Sequence, residues 1–268
     1  MAGPGPWRAK VDGWHGGGVS ADVPLDLKVP GGRDVWMRTL WTPPTGEPLG
    51  WAWVQHGFAR GARHLGGLAR LLAAHGIAVV RPQIASLRPW HSLHDRVFLT
   101  AAALTIARAL EVGIPQRAGV EVGPSWWGIG HSAGAGVVAH AAGVLGHRGK
   151  AGSPRALILL DPVDSVGGLL SGALPSCEGM WMQVAALTPS RCNRHGAMVD
   201  ELRRRPATAV ATFSALSHAD PERIPAVLDK GAVPPPTRAA ALACGRPGPA
   251  EEVVALARRV VTSATASA

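Results

Sequence analysis

The pattern Gly-x-Ser-x-Gly occurs at Gly130, Ser132 and Gly134. An apolar run over 126–130 precedes it and a run of small residues over 133–145 follows it, so the pattern is predicted to join a strand to a helix. A serine on such a sharp turn has a strained backbone, and glycine removes the neighbouring side chains that would collide there. The N–H groups of the helix N-terminus would face a developing oxyanion. These features predict that Ser132 is a nucleophile.

A nucleophilic serine needs a general base, which a histidine usually supplies. The last predicted strand, over 208–216, is followed at once by His218, so His218 is the candidate base. His131 adjoins Ser132 but should point the other way around the turn, and we expect it to pack or to form part of the pocket floor. Asp220 is too close to His218 in the chain to be a comfortable partner, and a cap or turn role explains it better.

The histidine in turn needs a carboxylate to orient it. Many proteins with alternating strands and helices place this acid after the strand that precedes the last helix–strand pair. Here that strand ends at Leu187, and residues 188–198 contain neither Asp nor Glu. Asp161 follows the apolar strand over 156–160, beside the strand that leads to the serine, where ligand chemistry collects in such sheets. Asp161 is therefore the preferred acid, and Asp164 remains the alternative. A simple Asp-Pro turn would explain either residue without a catalytic role.

An oxyanion also needs hydrogen-bond donors. The predicted strand over 50–55 is followed by His56, Gly57 and Phe58, and a His-Gly pair at this place is typical of a loop that supplies one donor. We expect the backbone N–H groups of Phe58 and Ala133 to form the oxyanion hole. A plain glycine turn is the alternative.

Metal and cofactor motifs are weaker. His91, His94 and Asp95 could line one helix face as metal ligands, but a first helical turn facing solvent or the pocket mouth is the favoured interpretation. No phosphate-binding or dinucleotide fingerprint is present. We expect neither a cofactor nor a metal.

The three cysteines have no Cys-x-x-Cys spacing, which argues against a zinc site and against a disulfide framework. Free, partly buried thiols are expected at Cys177, Cys192 and Cys244. A Cys177–Cys192 bridge is the alternative.

These residues must be positioned by an α/β architecture, because apolar strands alternate with helices along the chain. The strands over 23–29 and 34–41 are expected to form a hairpin at one edge of the sheet. The later strands should be parallel, with helices on both faces. Further strands are predicted over 77–80 and 180–187, and helices over 62–75, 92–112, 197–205, 235–244 and 250–263. Trp126 and Trp127 are expected in the core.

With 268 residues, of which 47% are hydrophobic, the chain is expected to form one domain over 21–268 after a loose arm over 1–20. The net charge of +9 is scattered, so no nucleic-acid partner is expected. No apolar run approaches the ~18 residues of a membrane span. The N-terminus lacks the apolar segment of a secretory signal, and a cytoplasmic location is expected.

The chain resembles the α/β-hydrolase superfamily over roughly 20–265, and within it the chlorophyllase-like and dienelactone-hydrolase-like serine esterases. The order Ser132, Asp161, His218 matches that superfamily. The stretches that carry the resemblance are 56–58, 130–134, 160–164 and 217–222. The resemblance implies an acid within the Asp-Pro-Val-Asp stretch. Plant chlorophyllases have a basic residue directly after the nucleophile, where this chain has Ala133, and this departure argues against pigment as the substrate.

The residues and the resemblance together predict a cofactor-free serine hydrolase that cleaves a small-molecule or lipid-like carboxylic ester through an acyl-enzyme. An acyltransferase with the same triad and a non-catalytic binding protein of the hydrolase fold are the alternatives. The segment over 165–177 is rich in Gly and Leu and is expected to form an apolar wall or lid of the pocket.

Overall fold

A computed structural model describes residues 7–9, 22–30, 35–86, 88, 90–113, 121–148, 152–165, 167–224 and 244–266. Nine strands of this part form a single sheet. Their bounds are β1 (Trp7–Ala9), β2 (Val23–Val29), β3 (Val35–Thr42), β4 (Gly50–Gln55), β5 (Ile77–Pro82), β6 (Trp126–His131), β7 (Ala156–Leu160), β8 (Met182–Leu187) and β9 (Thr208–Phe213).

The strand order is β1-β2-β3-β5-β4-β6-β7-β8-β9. Strands β2 and β3 pair antiparallel with Val29 opposite Val35, which confirms the predicted hairpin. Strand β3 pairs antiparallel with β5. The six strands β5, β4, β6, β7, β8 and β9 are parallel to one another. Strand β1 lies outside the hairpin and pairs antiparallel with β2. It falls within the expected arm; the rest of 1–20 lies outside the described residues, and the domain boundary stays a prediction.

Six α-helices are described: α1 (Gly66–Ala74), α2 (Arg96–Arg108), α3 (Gly134–Arg148), α4 (Leu169–Ala173), α5 (Ala197–Arg203) and α6 (Ala250–Thr265). The helix predicted over 62–75 begins as a 3-10 turn at Ala62–Leu65 before α1. The helix predicted over 92–112 starts later, because Asp95 caps it by accepting a hydrogen bond from the N–H of Phe98 at 3.0 Å. The helix predicted over 235–244 lies outside the described residues apart from Cys244.

Apolar side chains form a core on each face of the sheet. One core contains residues of α2, α3, α4 and α5, and the other contains residues of α1 and α6. Neighbouring strand residues point to opposite faces, so Trp126 enters the first core and Trp127 the second, and both side chains are fully buried. Trp126 stacks on Trp51 with ring centroids 5.0 Å apart. The prediction of a mostly parallel sheet covered on both faces is confirmed.

The cysteines differ from the prediction. Cys192 and Cys244 form a disulfide with their Cα atoms 5.1 Å apart, whereas Cys177 is free and buried. The Cys177–Cys192 pairing is therefore wrong, and the expectation of free thiols holds only for Cys177. The reason is tertiary: Cys177 packs under α3, with its Sγ 3.3 Å from the carbonyl oxygen of Ala139, while the loop after β8 meets the segment before α6.

The described helices are short or polar by the standard of a bilayer. None of those within the described ranges is both long and apolar enough to span one.

Candidate active site

Ser132 lies between β6 and α3 with a positive φ of 56°, as the sharp turn requires. A Cβ atom on Gly130 would lie 2.5 Å from the Cα of Ala135, and one on Gly134 would lie 2.4 Å from the carbonyl oxygen of Gln55. Glycine is thus needed at both positions. The clashes it avoids are with the backbone of α3 and β4 rather than with side chains of the turn itself.

The structure brings Ser132, His218 and Asp161 into one hydrogen-bonded row. The Oγ of Ser132 lies 2.9 Å from the Nε2 of His218, and the Nδ1 of His218 lies 2.6 Å from the Oδ2 of Asp161. A carboxylate oxygen only accepts, so Nδ1–H of His218 donates to Asp161 and Nε2 accepts the hydroxyl proton of Ser132. All three side chains are buried, and Asp161 is fully so. The row can draw a proton from Ser132 toward His218.

The two candidate acids have different surroundings. Asp161 has a φ of 45°, and its Oδ1 also accepts the N–H of Leu187 at 3.2 Å. Asp164 instead accepts the N–H of Leu170 at 2.9 Å and the hydroxyl of Ser171 at 2.5 Å, which holds the first turn of α4. The structure therefore brings Asp161 to His218 and leaves Asp164 with α4.

The loop after β4 lies directly against the serine. A Cβ atom on Gly57 would lie 2.7 Å from the Cβ of Ser132, so only glycine lets this loop approach so closely. The next residue is Phe58, and Ala133 follows the serine itself. Within the described residues, neither the N–H of Phe58 nor that of Ala133 donates a hydrogen bond to the protein. The described part of the chain therefore leaves both donors open to an oxyanion.

His56 is the first residue of this loop and holds the loop backbone in place. Its Nδ1–H donates to the carbonyl oxygen of Gly57 at 2.9 Å, and its Nε2 accepts the N–H of Ile84 at 3.3 Å. Burial lowers the pKa of His56 to about 4, so the ring is neutral and can play both parts at once. Since the Gly57 carbonyl and the Phe58 N–H belong to one peptide plane, His56 also sets the direction of that N–H.

His131 lies against the general-base candidate. Its Nε2–H donates to the backbone carbonyl of His218 at 2.7 Å, and the two rings have centroids 4.9 Å apart. Its Nδ1 lies 3.8 Å from Glu222, which is paired with the Nε of Arg60 at 2.8 and 3.0 Å. Burial, and then the neighbouring His218, lower the pKa of His131 well below its usual value, so this ring stays neutral.

Asp220 stabilises the turn that carries His218, in agreement with the expected cap or turn role. Its Oδ2 accepts the N–H of Ser217 at 2.6 Å and the N–H of Gly248 at 2.9 Å. Its Oδ1 lies 2.5 Å from Arg223, so the buried carboxylate is paired away from the ring of His218.

A cavity of about 330 Å³ borders Ser132. It is lined by Gly57, Phe58, Arg60, His131, Ser132, Cys192, His218, Ala219, Glu222 and Cys244. The segment over 165–177 is absent from this lining in its described part, so its expected role as a wall or lid is wrong. Its apolar residues, including Leu169, Leu170 and Leu174, are buried in the core that contains α3. Packing in the core removes the apolar surface of this segment from water, which is energetically favourable.

The metal interpretation of the first turn of α2 does not match the contacts found there. Both carboxylate oxygens of Asp95 accept hydrogen bonds from backbone N–H groups, those of Phe98 and His91. The ring of His91 lies against Phe98, and that of His94 against Phe58. Among the described residues, no group of three or more His, Cys, Asp or Glu side chains is arranged to hold a metal ion.

Solved structures share this architecture. Dienelactone hydrolase from Anabaena variabilis ATCC 29413 matches with a TM-score of 0.60 at 15% identity, over 91% of this chain and 98% of that one. A mutant of the esterase rPPE matches with a TM-score of 0.64 at 14% identity, over 93% of this chain and 83% of that one. This chain has the α/β-hydrolase fold. Brefeldin A esterase, a bacterial homologue of human hormone sensitive lipase, also matches this fold with a TM-score of 0.60 at 14% identity, over 96% of this chain and 80% of that one. No protein-family model and no curated protein sequence matches the chain.

Three features of this site were not predicted from the sequence. They are the hydrogen bond from Asn193 to Asp161, the Cys192–Cys244 bridge in the cavity wall, and the Arg60–Glu222 pair. The signal for Asn193 was its place after β8, because polar groups at the carboxyl ends of parallel strands converge on one edge. The pairing of Arg60 with Glu222 had no local signal, since the two residues are 162 positions apart.

Proposed function

We propose that this chain is a serine hydrolase that cleaves carboxylic esters, with Ser132 as nucleophile, His218 as general base and Asp161 as the orienting acid. The observation that carries the proposal is the unbroken row from the Oγ of Ser132 to His218 at 2.9 Å and on to Asp161 at 2.6 Å. Both distances are within hydrogen-bonding range, and the imidazole between the two oxygens can accept a proton and return it.

In the proposed mechanism, the Oγ of Ser132 attacks the ester carbonyl carbon while its proton passes to the Nε2 of His218. Asp161 stabilises the imidazolium that forms. The carbonyl oxygen becomes an oxyanion, which accepts hydrogen bonds from the N–H groups of Phe58 and Ala133. His218 then gives its proton to the leaving alcohol oxygen as the C–O bond breaks, and an acyl-enzyme remains.

Water completes the cycle. His218 takes a proton from a water molecule, whose oxygen attacks the acyl carbon, and the oxyanion forms again in the same place. The proton on His218 returns to the Oγ of Ser132 as the acid product leaves. An acyltransferase would differ only in replacing this water with another alcohol or an amine.

The substrate class is inferred from the cavity and from the neighbours in fold. Phe58, Ala219 and the disulfide give the cavity apolar wall area, and its volume of about 330 Å³ is at the small end for ligand pockets. Known proteins of the same fold include a dienelactone hydrolase and esterases. We infer a small-molecule or lipid-like ester with a short acyl group. A pigment as large as chlorophyll does not suit this cavity, in line with Ala133 after the nucleophile.

A cytoplasmic location stays a prediction. The Cys192–Cys244 bridge weighs against it, because disulfides persist mainly in oxidising compartments.

The test is labelling with a fluorophosphonate, which reacts only with activated serines, together with hydrolysis of nitrophenyl esters of increasing acyl length. Ser132→Ala should abolish labelling and lower turnover by about 10⁴–10⁶-fold. Ser125→Ala is the matched control, because Ser125 directly precedes β6 whereas Ser132 directly follows it. This variant should behave as wild type. A non-catalytic binding protein would show no labelling at all. Adding an alcohol and measuring the ratio of acyl transfer to hydrolysis distinguishes an acyltransferase from a hydrolase.

A further inference from the structure

The Oδ2 of Asp161 accepts two hydrogen bonds rather than one. Besides the Nδ1 of His218 at 2.6 Å, the Nδ2 of Asn193 donates to the same oxygen at 2.9 Å. Asn193 lies in the loop after β8 and is only 1% exposed. A buried amide aimed at the orienting carboxylate is not used by any step of the mechanism above.

The orientation of this amide is determined by its other partners. Its Oδ1 accepts the backbone N–H of Ser190 at 2.7 Å, and only the oxygen of an amide can accept from an N–H group. Its second Nδ2 hydrogen bond goes to the carbonyl oxygen of Thr188 at 2.9 Å. The NH₂ group must therefore face Asp161.

The loop that carries Asn193 is anchored on both sides. Cys192 ties it to Cys244, and Thr188 donates its hydroxyl proton to the carbonyl oxygen of Ser214 at 2.7 Å. The amide is thus presented to Asp161 from a loop whose ends are held, so it can restrict the rotation of the carboxylate.

We propose that Asn193 is a positioning residue that holds the Asp161 carboxylate against His218. This inference rests on the proposed function. Asp161 is fully buried, and a buried carboxylate needs hydrogen bonds to replace its lost water. Asn193 supplies one without adding a charge, so the negative charge of Asp161 remains available to the imidazolium.

Asn193 also tunes the base. A donor on Oδ2 spreads the charge of the carboxylate, and without it Asp161 would attract the proton of His218 more strongly. Removing the donor should raise the pH at which His218 ionises. The ring of His131 lies against that of His218, and Arg60 and Glu222 line the same cavity. Asp220 pairs with Arg223 in the turn that carries His218. Within the described residues none of these five groups hydrogen-bonds to Asn193.

The main test is Asn193→Ala. We expect kcat to fall about 10-fold to 100-fold with KM nearly unchanged, because the loss of one hydrogen bond to a charged group is of this order. The acidic limb of the pH profile of kcat/KM should move up by about half a unit to one unit. Met198→Ala is the control: this side chain is buried on the next helix, α5, so its truncation should lower stability without moving the limb.

Two further measurements keep the test decisive. Nuclear magnetic resonance titration of the His218 ring in the resting protein reads its pKa without any substrate, so it tests Asn193 even if wild type hydrolyses no ester. Asn193→Asp has nearly the same shape and puts a second carboxyl group beside Asp161. A proton shared by the two restores a donor at low pH, and two repelling charges remain at high pH. The ratio of its activity to that of wild type should therefore decrease as the pH rises from 5 to 8.

An unchanged pKa of His218 in Asn193→Ala would overturn the proposal, as would a loss of activity that Met198→Ala reproduces with the same pH profile. Should Asn193→Ala fail to fold, a pH-independent activity ratio for Asn193→Asp would overturn it equally. If the proposed function fails instead, wild type shows neither hydrolysis nor fluorophosphonate labelling while the titration still reports on Asn193.

Discussion

His131 donates a hydrogen bond from its Nε2–H to the backbone carbonyl of His218 at 2.7 Å, across 87 positions of sequence. The residue next to the proposed nucleophile is therefore tied to the loop that carries the proposed base. Because His131 directly precedes Ser132 in the chain, this bond links Ser132 and His218 through the backbone as well as through their own contact.

We expect His131→Phe to lower kcat/KM about 5-fold to 10-fold, since the ring volume is kept while one buried hydrogen bond worth about 1 kcal/mol is lost. Hydrolysis of a short nitrophenyl ester measures the effect. His147→Phe is the matched control, because that ring bonds the carbonyl of Gly143 within α3 instead. Equal losses in both variants would show that the bond to His218 has no special role.

Asp161→Asn should lower turnover by about 10³–10⁴-fold, because the imidazole meets the wrong partner and its cation loses a stabilising charge. Asp164→Asn should keep most of the activity but lose about 1 kcal/mol of unfolding free energy, since Asp164 holds the first turn of α4. Turnover and urea unfolding of both variants are the measurements. The reverse ranking of activities would transfer the acid role to Asp164.

Protonation of His56 should destabilise the fold at acid pH. Burial lowers its pKa from 6.5 to about 4, so between these values the unfolded chain binds a proton that the folded chain excludes. The contribution is present above pH 6.5 and is lost as the pH falls toward 4, by about 3 kcal/mol.

Urea unfolding of wild type and His56→Gln at several pH values between 7 and 4 measures this loss. The variant has no titrating group at position 56, so its stability should fall less steeply over the range. Burial also lowers the pKa values of His131 and His140, but both residues are common to the two proteins and cancel in the comparison. Parallel curves would contradict the assignment.

Reduction of the Cys192–Cys244 bridge should lower the free energy of unfolding by about 2–4 kcal/mol, because a cross-link over 52 positions restricts the unfolded chain. Denaturation with and without a reductant measures it. The Cys192→Ser/Cys244→Ser double variant should no longer respond to reductant. Cys177→Ala should respond like wild type, because burial raises the pKa of this free thiol to about 11 and keeps it unreactive. If a reductant left the free energy of unfolding of wild type unchanged, the bridge would not contribute to stability.

Local sequence was sufficient to predict the elements that build the site. The turn at Ser132, the strand ending before Asp161 and the strand ending before His218 each have a pattern that reads within about ten residues. Parallel strands bring their carboxyl ends to one edge, so the order of these elements already places the three side chains near one another. The composition of the apolar segment over 165–177 does not separate a buried helix from a pocket wall, because both are rich in apolar residues.

The sequence by itself determined the α/β alternation, the glycine-flanked serine and the histidine after the last strand, since these depend on periodicity and on backbone sterics close in the chain. Only the tertiary structure shows that Asp161 rather than Asp164 reaches His218, because this depends on a 2.6 Å contact between Asp161 and His218 while Asp164 bonds to the first turn of α4. It also decided that Cys244 rather than Cys177 meets Cys192, and that Asn193 faces Asp161. These pairings join residues far apart in the chain, and a local pattern does not encode which distant side chains packing will bring together.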